Sequence, residues 1–113
     1  MFTLSDNHRF LLYSQPTDMR KSFDGLSGLI KNQLATDPRN GDVFLFINKG
    51  RDKIKLLHWN GSGYTLYYKR LEKGTFELPS YKQKKGSVKL TYAKLVMIID
   101  GLSIKNVVHR KRY

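Results

Sequence analysis

Lys49, Arg51, Lys53 and Lys55 occupy every second position of "NKGRDKIK", and Lys69 and Arg70 close the aromatic run that follows. On an extended chain alternate side chains point the same way, so this spacing lines up a row of cations. Such a row neutralises several phosphates of a nucleic-acid strand and releases their counterions. Trp59, Tyr64 and Tyr68 lie between the two basic groups, and flat rings stack unpaired bases wherever they are exposed. The competing reading for these rings is burial in a core, the common fate of aromatics on a hairpin that faces a helix. Arg20 and Lys21 stand at the start of a candidate helix, an end already favourable to anions. Arg110, Lys111 and Arg112 in the closing "HRKRY" (109–113) form a basic tail, read either as further nucleic-acid contacts or as a solubilising end.

The overall charge supports the same chemistry. The chain carries 21 Lys+Arg against 9 Asp+Glu, a net charge of +12 in 113 residues. Self-repulsion of that size opposes compaction, and a polyanionic partner relieves it. The excess is uneven: residues 82–112 hold nine Lys/Arg and one acid, Asp100. A concentrated excess favours a binding face over a uniformly solvated surface.

Catalysis has little support. A metal-dependent nuclease needs clustered carboxylates, often with a lysine two residues beyond one of them. None of the acids at 6, 18, 24, 37, 42, 52, 72, 77 and 100 has that lysine, and most read as turn or cap residues. His8, His58 and His109 lack metal-ligand spacing, Ser62 lacks a nucleophile context, and "NGSG" precedes a strand rather than a helix. The expectation is a protein that is not an enzyme and needs no metal or cofactor. There is no cysteine, so a disulfide framework is ruled out and a reducing compartment fits. "MFTLSDNHRF" lacks a signal-peptide pattern and "LVMII" is too short to span a bilayer. Cytoplasm without membrane attachment is the expected location.

One domain is expected over 1–113, since two cores could not each bury enough surface at this length. "RFLLY" (9–13) reads as a strand. Phe23, Leu26, Leu29, Ile30 and Leu34 share one helical face, with Asp18 as the candidate N-cap and Asp37-Pro38 as the stop. Gly25 and Gly28 lie three apart and suggest close approach by another backbone. "DVFLFIN" has five consecutive apolar residues, the pattern of a strand covered on both faces. "KIKLLHW" and "YTLYYKRL" flank Asn60-Gly61 and predict a hairpin; a four-residue loop pairs Trp59 with Tyr64, Leu57 with Leu66 and Lys55 with Tyr68, and a shift of one residue exchanges the partners. Lys69 and Arg70 are then expected beside the lysine row. "GTFELP" is a candidate edge strand, and residues 80–87 a mobile basic connector. Leu95, Ile98, Ile99 and Leu102 predict a last helix, with Thr91 as cap and Gly101 as stop. The fold class is α+β: a small antiparallel meander sheet of four or five strands with two helices packed on one face.

"QPTDMRKSFDGLSGLI", "DPRNGDVFLFINKGRDKIKLLHWNGSGYTLYYKRLEKGTF" and the closing "KRY" together resemble the small accessory protein, often labelled TnpB, of the insertion-sequence-sixty-six family of bacterial transposable elements. The resemblance is close over residues 2–79 and loose beyond. It implies a protein encoded beside a larger catalytic transposase and needed for transposition, its own biochemical role unsettled, and it does not imply a catalytic residue. Asn60 stands where the family usually has Asp after Trp, and Leu78 where a Trp often precedes Pro, so an acidic role at that turn and one stacking position are lost.

Three expectations follow. The first is a DNA-binding accessory factor with Arg20, Lys21, Lys49, Arg51, Lys53, Lys55, Lys69 and Arg70 on phosphates. The second is an interaction module that docks on the transposase without touching DNA. The third is RNA binding, by analogy with the element order of double-stranded RNA-binding domains; "TYAKL" offers only one lysine where that fold presents a cluster, which favours DNA over RNA.

Overall fold

The computed structural model describes residues 4–79 and 86–100. The elements are β1 (Phe10–Tyr13), α1 (Phe23–Gln33), β2 (Val43–Ile47), β3 (Lys53–Trp59), β4 (Tyr64–Arg70), β5 (Ser87–Leu90) and α2 (Tyr92–Asp100). They form one five-stranded sheet in the order β4-β3-β2-β1-β5. The class is α+β with a mostly antiparallel sheet, as expected.

The connectivity departs from a meander. β1 runs parallel to β2, with Phe10 opposite Val43, and β5 closes antiparallel on the far side of β1, with Phe10 opposite Leu90. A helix between two strands carries the chain back to the end it started from, so the second strand runs in the direction of the first. The remaining strands pair as antiparallel neighbours. Trp59 faces Tyr64, Leu57 faces Leu66 and Lys55 faces Tyr68, the predicted register. Gly61, at φ 99°, supplies the left-handed residue that the turn needs.

The helices also lie differently from the expectation of one shared face. Phe44, Phe46 and Leu57 pack with Leu26 and Ile30 of α1. Val43, Leu45, Ile47, Ile54 and Leu56 pack with Leu95 and Ile98 of α2. Residues of opposite parity on one strand point to opposite faces, so the sheet is sandwiched between the helices. All five residues of β2 are buried, as a strand between two layers requires.

Helix ends differ too. The N-cap of α1 is Ser22, which makes no side-chain cap bond, while the Asp18 carboxylate instead accepts from the Arg20 backbone N–H. The helix stops at Gln33, before Asp37-Pro38, because Ala35 turns left-handed at φ 50°. Phe23 stays 43% exposed, and no described atom lies within 4 Å of a side chain added at Gly28, so no backbone crosses closely there. α2 does start as expected, with Lys94 N–H donating to Thr91 Oγ1 at 3.1 Å. Residues 74–79 form no strand; Phe76 is buried in the α2-side core and its N–H donates to the Arg51 carbonyl at 2.7 Å. The fifth strand begins instead at Ser87, the last residue assigned to the connector. Residues 80–85, Gly101, Leu102 and the tail lie outside the described residues.

Candidate nucleic-acid interface

The segment 48–53 between β2 and β3 is built around Asn48. Its Oδ1 accepts the N–H groups of Asp52 (3.1 Å) and Lys53 (3.0 Å), and its Nδ2 donates to Asp52 Oδ1 at 2.7 Å. That last bond, with Lys53 behind it, lowers the pKa of Asp52 below the ordinary carboxylate range. Arg51 sits at φ 59°. The strict alternation assumed for Lys49 and Arg51 is therefore broken: both belong to an ordered turn, and only Lys53 and Lys55 lie on the strand. Lys49 and Arg51 are exposed, and among the described residues neither lies within ion-pair distance of a carboxylate.

Lys55 is 5% exposed. Its Nζ donates to the carbonyls of Met19 (2.8 Å) and Lys21 (2.7 Å) and lies 4.6 Å from the centre of the Tyr68 ring. It is almost wholly withdrawn from solvent, with its ammonium committed to these groups, unlike the exposed cation that the spacing predicted. It pins the segment entering α1 against the sheet, and Thr17 N–H, donating to the Ile47 carbonyl at 2.8 Å, fixes the other end. These bonds bring Arg20 and Lys49 to the same recess, a cavity of about 530 Å³ also lined by Lys53 and Tyr68.

Lys69 lies apart. Odd and even residues of β4 face opposite sides, so Lys69 is on the α2 face with Ile54 as its cross-strand partner. Its Nζ donates to the Ile99 carbonyl at 2.8 Å, a cation at the carbonyl end of a helix. Arg70 does sit beside the row, opposite Lys53.

Three of the expected cations carry local carboxylate partners. Arg20, whose side chain is 91% exposed, binds Asp18 at 2.7 Å. This side-chain bond, followed by the Arg20 backbone N–H, lowers the Asp18 pKa to about 2. Lys53 pairs with Asp52 at 3.3 Å and Arg70 with Glu72 at 2.7 Å. Exposed pairs of this kind are weak. Lys21 is exposed with no described carboxylate in range.

The aromatics separate into two environments. Trp59 is half-buried, with Tyr64 edge-on at 5.1 Å and the Arg39 guanidinium 4.9 Å from its ring centre. Tyr68 is 51% exposed. Arg39 was not among the sequence candidates, because Asp37-Pro38 and Asn40-Gly41 mark a turn around it but no spacing in the chain shows that this turn brings Arg39 over Trp59. Arg110, Lys111 and Arg112 lie outside the described residues.

On the α2 face His58 is buried, and its ring meets His8 edge-on at 4.8 Å. Burial lowers its pKa below 6.5, the charge of His8 adds to this, and a backbone bond to Gly41 opposes it. The unfolded chain therefore binds a proton before the folded one does. Stability is expected to be flat above about pH 6.5, to fall as pH drops below that value, and to level off once the folded imidazole is protonated. Urea midpoints between pH 7.5 and 5 check this, and His58→Phe removes the slope.

Among the described residues no group of three or more His, Asp or Glu could hold a metal, and no helix is long and apolar enough to cross a membrane.

The family profile described as "IS66 Orf2 like protein" matches residues 8–109. The chain belongs to the IS66 Orf2-like family. It is similar to "Uncharacterized protein y4jC" of Sinorhizobium fredii, 34% identical over 83% of this chain and 79% of the relative. A second protein of the same organism, "Uncharacterized protein y4hO", is 28% identical over 90% of this chain and 87% of its own. No solved structure matches. The resemblance read from the sequence is thus confirmed, and an accessory part in transposition is the coarse assignment carried by an IS66 Orf2-like protein.

Proposed function

We propose that the protein assists its transposase by holding nucleic-acid backbone, DNA in the first instance, on the cationic rim around the β2–β3 turn, without catalysing a step itself. The supporting observation is that Lys49, Arg51 and Lys21 are exposed with no described carboxylate in range, in a chain of net charge +12. Arg20, Lys53 and Arg70 join them when a phosphate displaces their exposed partners. Contacts of this type carry little sequence information, so binding is weakly specific and strongly salt-dependent.

Fluorescence anisotropy with labelled DNA at two salt concentrations tests this. Lys49→Gln combined with Arg51→Asn, chosen because Asn tolerates the left-handed backbone, is expected to lower the salt slope by about 1 per residue removed. Affinity that is absent, or unmoved by salt, would sink the reading.

Docking on the transposase is the second reading, favoured by the Asp18, Asp52 and Glu72 pairings, which leave the rim a mixed-charge surface. Capture of the transposase that survives nuclease treatment, from a protein with no DNA affinity, supports it instead.

A further inference from the structure

Tyr68 is the one sequence-predicted stacking residue whose ring is half in solvent, and its position is fixed from below. The Lys55 Nζ lies 4.6 Å from the ring centre and is itself held by two carbonyls, so the ring cannot swing inward. Lys55 has no carboxylate within ion-pair range among the described residues. The charge beneath the ring is therefore satisfied by dipoles and a π face but not cancelled, and in a partly desolvated site its field extends further than that of a solvated lysine.

Tyr68 also lines the recess of about 530 Å³, together with Pro16, Met19, Lys49, Lys53 and Arg20. The size suits a small planar group. Two lining cations meet carboxylates: Arg20 is held by Asp18, and Lys53 shares Asp52. Lys49 does not. A half-exposed aromatic ring, an uncancelled positive charge against it and a lysine with no described carboxylate partner in the same recess are the components of a single-strand site, where bases stack and the backbone follows the cations.

We propose that this recess seats an unpaired DNA strand, with one base lying on Tyr68 and its flanking phosphate on Lys49, assisted by Lys53. The inference rests on the nucleic-acid reading above and narrows it to strand form. Bases inside a duplex are stacked on each other, and a ring in a recess reaches them only after they are unpaired at a cost. Duplex DNA meets the rim lysines alone.

The test compares a labelled single-stranded oligonucleotide of about twelve nucleotides with its duplex, using the intact chain. The wild type is expected to favour the single strand. Tyr68→Ala weakens single-strand binding about 5- to 100-fold and duplex binding less than about twofold. Tyr68→Phe retains the preference. Tyr68→Leu keeps apolar cover over Lys55 without a π face and behaves as Tyr68→Ala, which separates stacking from any loss of fold. Lys49→Gln weakens both strand forms. Salt-dependent binding that persists with no single-strand preference, or a preference unchanged in Tyr68→Ala and Tyr68→Leu, overturns the proposal while leaving backbone binding intact. A wild type that binds neither form removes the nucleic-acid reading itself. Loss of nuclease-resistant transposase capture in Tyr68→Ala, with single-strand affinity unchanged, assigns the recess to protein and also overturns it.

Discussion

Lys55→Met is expected to destabilise the fold by about 3 kcal/mol, seen as a fall in melting temperature of roughly 10–15 °C. Methionine keeps most of the stem volume, so packing of the methylenes is nearly conserved. What is lost is the ammonium. The carbonyls of Met19 and Lys21 lose donors at 2.8 and 2.7 Å, and hydrogen bonds to a charged donor contribute about 1.5–3 kcal/mol net. The ring of Tyr68 also loses its cation. The segment bearing Met19 and Arg20 then loosens, which alters the recess as well as stability. Thermal and urea melts decide it, and a loss below about 1 kcal/mol contradicts the pinning role.

The second large effect is in the core. Phe46→Ala is expected to cost about 3–5 kcal/mol, against a total of about 5–15 kcal/mol for a typical domain. Phe46 is fully buried, packs with Leu26 and Ile30 of α1, and has Tyr13 at a centroid distance of 6.1 Å. Its removal leaves a cavity under the helix that a five-residue strand held on both sides cannot close. A urea titration should place the midpoint far below that of the wild type; an unchanged midpoint means α1 is not docked on Phe46.

The hairpin was legible from Asn60-Gly61, and its register followed once the loop had four residues, the length the structure shows. The existence of both helices was legible from apolar spacing. The parallel pairing of β1 with β2 was not, nor was the placement of the helices, although a cue for the latter was present: the unbroken Val43–Ile47 run already required cover on both faces, which two helices on one face cannot give. β5 was missed because Ser87–Leu90 offers only Val88 and Leu90 as apolar alternation, too short a signal beside a lysine-rich connector. The cationic row was half legible. Spacing found Lys53 and Lys55 on one face but could not show that one of them lies beneath α1's entry segment. The left-handed backbone at Arg51, which breaks the row, arises from side-chain bonds of Asn48. The carboxylate partners Asp18, Asp52 and Glu72 lie within two residues of their cations, so that neutralisation was open to reading.

β1 lies between β2 and β5, with Phe10 bridging Val43 on one side and Leu90 on the other. As the polypeptide leaves the ribosome, its first strand emerges long before either neighbour exists. The side of "FLLY" that meets β5 stays a bare, sticky edge until Ser87–Leu90 is made, a hazard when nascent chains crowd on one messenger. The cationic surplus that suits a nucleic-acid partner also holds such half-made copies apart.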